Sequence, residues 1–176
     1  MPGCRTLLTL AAAMHQTTRD SERSHRAIRI TVSRPTSASA EQVGAASDFS
    51  PRRAAVWPNV TTKRLEVHEH GDTYADVTEG GTDIARFFWE RCRYDWSAPG
   101  VVTATVIDSN VVLPGSTWEL RTSAADHGTA VEMVMTRDFR DGPTAGIAYA
   151  LNRVAGERLF GWMLGSALRA VERADG

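Results

Sequence analysis

From Thr144 to Ala174 the chain contains no proline and repeats apolar residues at helical spacing. The stretch before it, Lys63 to Phe139, is β-branched and aromatic, and it alternates. One long helix that follows a run of hairpin-spaced strands has a sheet as its available packing partner. Laid across a curved antiparallel sheet, it leaves a space between the two layers. The order of elements therefore predicts an α+β fold with room for a ligand, on a chain of 176 residues, enough for one domain with a real core.

Residues 1–25 are polar and read as a disordered leader, and residues 26–174 as a single domain. Leu7 to Ala13 imitates the apolar part of a signal peptide but is clipped, and Met14 is an alternative start. Ala27 to Ser33 alternates as a half-buried strand that Pro35 ends. Ser39, with Gln42 three residues on, is a capping box that opens a short helix through Ala46. Pro51 opens a second short helix that stops at Trp57-Pro58. Strands follow at Arg64–Glu69, Thr73–Thr78, Ile84–Trp96, Val101–Asp108, Ser116–Thr122 and Thr129–Phe139, with a hairpin signal at Ala125-Asp126-His127-Gly128. Spacings this short require antiparallel pairing, because parallel strands need long crossovers.

At 100° per residue, Ile147, Leu151, Val154 and Trp162 form one stripe of the last helix, and Phe160, Leu164, Leu168 and Val171 a second. A helix apolar on two sides is expected to be covered on both, or to cover a cavity on one. Gly156, Gly161 and Gly165 each weaken the helix by about 1 kcal/mol against alanine. Either close approach to the sheet or room for a ligand would offset that.

A formal net charge of -1 argues against general nucleic-acid binding, and the scattered arginines predict no polybasic membrane patch. No stretch reaches the roughly 18 apolar residues of a membrane span, so stable membrane insertion is not expected. Cys4 and Cys92 are the only cysteines, a usage that fits a reducing, cytoplasmic setting. Hydrolase elbows, phosphate-cradling glycine loops, Cys-x-x-Cys and His-Glu-x-x-His are missing.

The element order, together with Asp48-Phe49-Ser50-Pro51, Val56-Trp57-Pro58 and Tyr94-Asp95-Trp96-Ser97, resembles the START-like helix-grip (SRPBCC) superfamily. Within it, the chain looks most like the bacterial polyketide cyclase/dehydrase and lipid-transport proteins. The resemblance covers residues 26–174. It implies a curved seven-stranded antiparallel sheet wrapped around the C-terminal helix, two short helices between strands 1 and 2, and an apolar ligand held between sheet and helix. It implies a cavity and not a reaction.

Strand parity selects the residues that face such a cavity. Arg91, Arg93 and Asp95 mark a wet face, which turns Glu90, Cys92, Tyr94 and Trp96 inward. Trp118 and Leu120 point in against Thr117, Glu119 and Arg121, as do Val131, Met133 and Met135 against Glu132 and Thr136. Parity leaves Val101 to Ile107 undecided. With Leu151 and Trp162 of the helix, these residues form the expected ligand-binding set; the methionines make its wall adaptable. Glu90, Tyr94 and Arg137 are the polar members, and the buried charges need partners. Glu66, His68 and His70 alternate on one strand face, a metal-ligand pattern that reads as a solvated face, and neither a metal nor another cofactor is expected.

Three functions fit these readings. The first is binding or carrying of a hydrophobic small molecule such as a lipid, isoprenoid or polyketide. The second is a cyclase/dehydrase-type enzyme using the same cavity, with Glu90, Tyr94 and Arg137 as its polar groups. The third is an interaction module whose cavity is filled by its own tryptophans.

Overall fold

The computed structural model describes residues 26–45, 53–81 and 88–174. The leader, Cys4, Ala46, the Asp48–Pro51 motif and the first part of the Ile84–Trp96 strand lie outside the described residues. One curved antiparallel sheet holds β1 (Ala27–Thr36), β2 (Leu65–His70), β3 (Tyr74–Gly80), β4 (Trp89–Asp95), β5 (Val101–Ser109), β6 (Thr117–Ala125) and β7 (Gly128–Asp138). Their order is β1-β7-β6-β5-β4-β3-β2, so β2 to β7 run as a meander and β1 returns to pair with β7. Two short helices, α1 (Ala40–Ala45) and α2 (Arg53–Val56), lie between β1 and β2, and α3 (Pro143–Ala174) follows β7. The α+β helix-grip expectation is met.

Local chemistry accounts for the boundaries. Ser39 and Gln42 make the reciprocal capping box: the Gln42 amide donates to Ser39 Oγ at 3.2 Å, and the Ser39 amide donates to Gln42 Oε1 at 2.5 Å. Pro143 starts α3, where a missing N–H costs nothing. The β6–β7 hairpin closes over Asp126-His127, with Gly128 at φ 97°. A Cβ there would collide with the Thr36 carbonyl oxygen, so only glycine serves.

Three strand readings change. Pro35 does not end β1, which pairs through Pro35↔Ala130 to Thr36↔Thr129. As an edge strand, β1 has one side without a partner, so it tolerates the lost donor. In β2 the register shifts between Val67 and Glu69, leaving His68 as a bulge. Glu66 and His68 then stay outward, with His68 Nε2 2.7 Å from Thr78 Oγ1, while His70 crosses to the face of Ala75 and packs 5.7 Å from the Trp96 ring. The three residues do not share a face. Val67, expected inside, is 42% exposed on this second edge. In β5 burial selects Val102, Ala104 and Val106 as the inward set, which parity had left open.

The core joins the inner faces of the sheet to one stripe of α3. Phe160, Leu164, Leu168 and Val171 are buried with Ile30, Val32 and Leu120. Gly156 is the point of closest approach, since a Cβ there would strike the end of Ile30 in β1. Close packing, and not space for a ligand, accounts for this glycine. Gly156→Ala is therefore expected to lower stability by about 1–2 kcal/mol, against the helix-propensity gain of about 1 kcal/mol. Ile30→Val in the same chain should recover most of the loss in thermal melting.

Candidate ligand-binding site

The inner face of the sheet carries charge where an ordinary core would carry aliphatics. On β3 the alternation Ala75, Val77, Glu79 points inward, and on β4 Glu90, Cys92, Tyr94 does the same. The register sets Glu79 directly opposite Glu90, and both side chains are buried. Two like charges in that position destabilise a sheet unless each is neutralised.

Each has its own arginine. Arg137 of β7 forks onto Glu90, donating from Nη1 to Oε2 at 2.7 Å and from Nη2 to Oε1 at 3.2 Å. Strands β7 and β4 are three places apart in the sheet, about 14 Å if it were flat. The pair closes across the concave side and ties the two limbs of the curve together. Arg53, carried on the single turn α2, donates from Nε to Glu79 and from Nη2 to the Tyr94 hydroxyl at 3.0 Å. Tyr94 in turn donates to Glu79 Oε2 at 2.8 Å, closing a ring of three side chains. Trp118 stands edge-on to Tyr94, with ring centroids 5.6 Å apart, and Trp57 lies 6.1 Å from Trp118.

Burial by itself disfavours the charged form of both arginines, but the facing carboxylates outweigh it and hold both above the ordinary arginine value. Burial, reinforced by Glu79, pushes the Tyr94 hydroxyl well above its usual range, and burial with Glu90 raises the Cys92 thiol. Tyr94 is thus a neutral hydrogen-bonding group and Cys92 an inert thiol. The four charges cancel: two guanidiniums against two carboxylates.

Beside this quartet lies a cavity of about 270 Å³ between sheet and α3. Trp118, Met133 and Met135 line its sheet side, and Trp57 and Val60 the connector side. Ile147, Leu151, Leu159, Phe160 and Met163 form its helix side. Arg53, Glu79, Glu90 and Arg137 all reach its surface. A larger groove of about 680 Å³ lies at the other end of the sheet, between α1, the β4–β5 turn and the end of α3. It shares Arg53 with the first space and lacks the two glutamates, so the smaller cavity is the one that carries chemistry.

The expected ligand-facing residues separate into groups. Glu90, Trp118, Met133, Met135, Arg137 and Leu151 line the cavity. Cys92, Tyr94 and Val131 are fully buried and line neither space, and Trp96 and Leu120 line the larger groove. Trp162 lines neither space and is 56% exposed, because it stands further along α3 than Ile147 and Leu151, on the helix's outer side. Sequence reading missed Glu79, placed in a turn just past the strand Thr73–Thr78, although the alternation of Ala75 and Val77 runs straight on to it. It also missed Arg53, for which no local signal exists: its partners are 26 and 41 positions away. Among the described residues no group of three or more His, Cys, Asp or Glu side chains could hold a metal ion. No described helix is long and apolar enough to cross a membrane.

A curved sheet gripping one long helix over an inner cavity defines the class, a START-like helix-grip fold. Comparison with solved structures agrees. A protein from Thermus thermophilus superimposes with a TM-score of 0.69 at 13% identity, over 85% of this chain and 100% of that one. The Zhui aromatase/cyclase from a Streptomyces species gives 0.65 at 18%, over 86% and 96%. A START superfamily protein from Mycobacterium smegmatis gives 0.62 at 13%, over 84% and 98%. No protein-family model matches the sequence, and no curated protein does. Likeness at such identities speaks to fold alone.

Proposed function

We propose that the protein binds and carries a compact hydrophobic small molecule, of lipid, isoprenoid or polyketide type, between the sheet and α3. The observation that carries this reading is an apolar cavity with a charge-balanced, hydrogen-bonded quartet at its surface. Its volume of about 270 Å³ lies just under the usual range of about 300–1,000 Å³, which favours a small ring system or short chain over a whole phospholipid. Because the charges of the quartet already cancel, a charged ligand would bring an uncompensated charge into the site. A neutral ligand with a hydroxyl or carbonyl oxygen fits better, since it can share the arginine or glutamate hydrogen bonds. Two methionines adapt the wall to loose shapes.

Native mass spectrometry of the purified protein, followed by denaturing extraction, tests the reading. A co-purifying neutral apolar molecule is the expected result. A protein that stays empty after exposure to lipid and polyketide extracts would overturn it and favour the interaction-module reading.

A second reading, a cyclase/dehydrase-type enzyme, is supported by the placement of Glu90 and Arg137 at the cavity surface, where a carboxylate can exchange a proton with an enolisable guest. Tyr94, sealed beneath the wall, would act by positioning Arg53 and Glu79. Under this reading Glu90→Gln, assayed below the melting temperature that the loss of Arg137's partner lowers, abolishes turnover of the extracted ligand while binding persists; unchanged turnover would remove it.

A further inference from the structure

The stripe Ile147, Leu151, Val154 and Trp162 is not covered by anything described. These residues are 61%, 61%, 86% and 56% exposed. At 100° per residue they fall within about 80° of one another, along roughly 22 Å of helix. Scattered exposed apolar residues need no explanation, but a contiguous line on one helix face does.

Arginines that are scattered in sequence gather on this face. Arg158 and Arg169 fall in the same sector of α3 as the apolar residues. Arg34 of β1 lies alongside, its Nη2 2.7 Å from where a Cβ on Gly161 would be. None of the three forms a salt bridge with a described carboxylate. Glu157 sits about 100° round from the centre of the stripe; Glu172 shares the sector, but its carboxylate is bound by Thr36 and Ser37 and offsets Arg169 in part only. The arginines stay scattered along the chain, as expected, while three of them share this one face.

We propose that this face of α3 docks the protein reversibly on an anionic lipid surface. Tryptophan and aliphatic side chains enter the headgroup region while the arginine stems snorkel and their guanidiniums meet phosphates. The helix lies on the bilayer and does not cross it. The exposed apolar area of these four residues, roughly 500 Å², falls short of the about 800 Å² per partner of a stable protein interface. A second copy related by a two-fold axis would set Arg34, Arg158 and Arg169 against their own equivalents, a like-charge arrangement. A lipid surface needs neither that area nor shape complementarity, and it supplies the opposite charge. Ile147 and Leu151 also line the cavity, so docking brings that side of the cavity towards the bilayer. The proposal stands whatever the cavity holds.

The test is flotation of the full chain with extruded vesicles, one set of phosphatidylcholine alone and one containing about a third phosphatidylglycerol, at low and high salt. Binding to the anionic vesicles, at least tenfold weaker on neutral ones or in high salt, is expected. Val154→Ser with Trp162→Ser, neither of which lines the cavity, should weaken it at least tenfold with an unchanged melting temperature. Arg158→Gln with Arg169→Gln should do likewise. The proposal is overturned by no binding to either vesicle, by binding indifferent to lipid charge, or by binding that the serine pair leaves intact. A dimer in analytical ultracentrifugation that the serine pair dissolves would assign the face to a second copy instead. Capture of an acidic protein partner without vesicle binding would assign it to that partner.

Discussion

Arg137→Met is expected to destabilise the protein by about 3–5 kcal/mol, a fall of roughly 10–15 °C in melting temperature for a domain of this size. The substitution leaves the Glu90 carboxylate buried, stripped of a two-bond fork, and directly opposite a second buried carboxylate, Glu79. Most of the cost is that orphaned charge and not the lost attraction. Glu90→Gln in the same chain should therefore recover the larger part of the loss, although it restores no ion pair. A double variant as unstable as the single one would show that the fork closes the sheet mechanically, by tying β4 to β7, and not through charge compensation. Chemical and thermal unfolding of the three chains separates these outcomes.

Arg53→Met is expected to be about as damaging, and its pattern of coupling is more informative. Arg53 reaches Glu79 and Tyr94 from the one-turn helix α2, whose Val56 and adjoining Trp57 pack on the core. Tyr94→Phe leaves an acceptor on Glu79 and a donor on Arg53 short of the hydroxyl, a loss of about 1–3 kcal/mol. Because the three side chains share one ring of hydrogen bonds, the double variant should cost less than the sum of the singles by about 1 kcal/mol or more. Strict additivity would mean that the Tyr94 hydroxyl acts through Glu79 alone, independently of Arg53. Arg53 also borders both inner spaces, so its loss should alter binding of any ligand recovered from the protein, where the buried Tyr94→Phe should alter it little.

The residues that could be read in advance are those whose role repeats along the chain. Glu90, Cys92 and Tyr94 follow a two-residue period against Arg91 and Arg93, and the structure buries the first three as that period requires. The two stripes of α3 were equally visible, but which one faces the sheet was not. Phe160, Leu164 and Leu168 went inside because Gly156 lets that face approach Ile30. Trp162, of the same apolar character, was left outside. Bulges escape such a reading as well: His68 adds one residue to β2 and sends His70 to the opposite face from Glu66.

The order of elements and the inward alternation of β4, β6 and β7 are legible along the chain, because periodicity and turn chemistry act over a few neighbouring residues. Folding over long range sets Glu79 against Glu90, brings Arg53 and Arg137 to neutralise them, and carries Arg34 of β1 beside the stripe of α3 that bears Arg158 and Arg169 and stays open. Those partners lie 11 to 47 positions apart in the chain or on different elements, and local pattern carries no information about which distant charges will share a low-dielectric space.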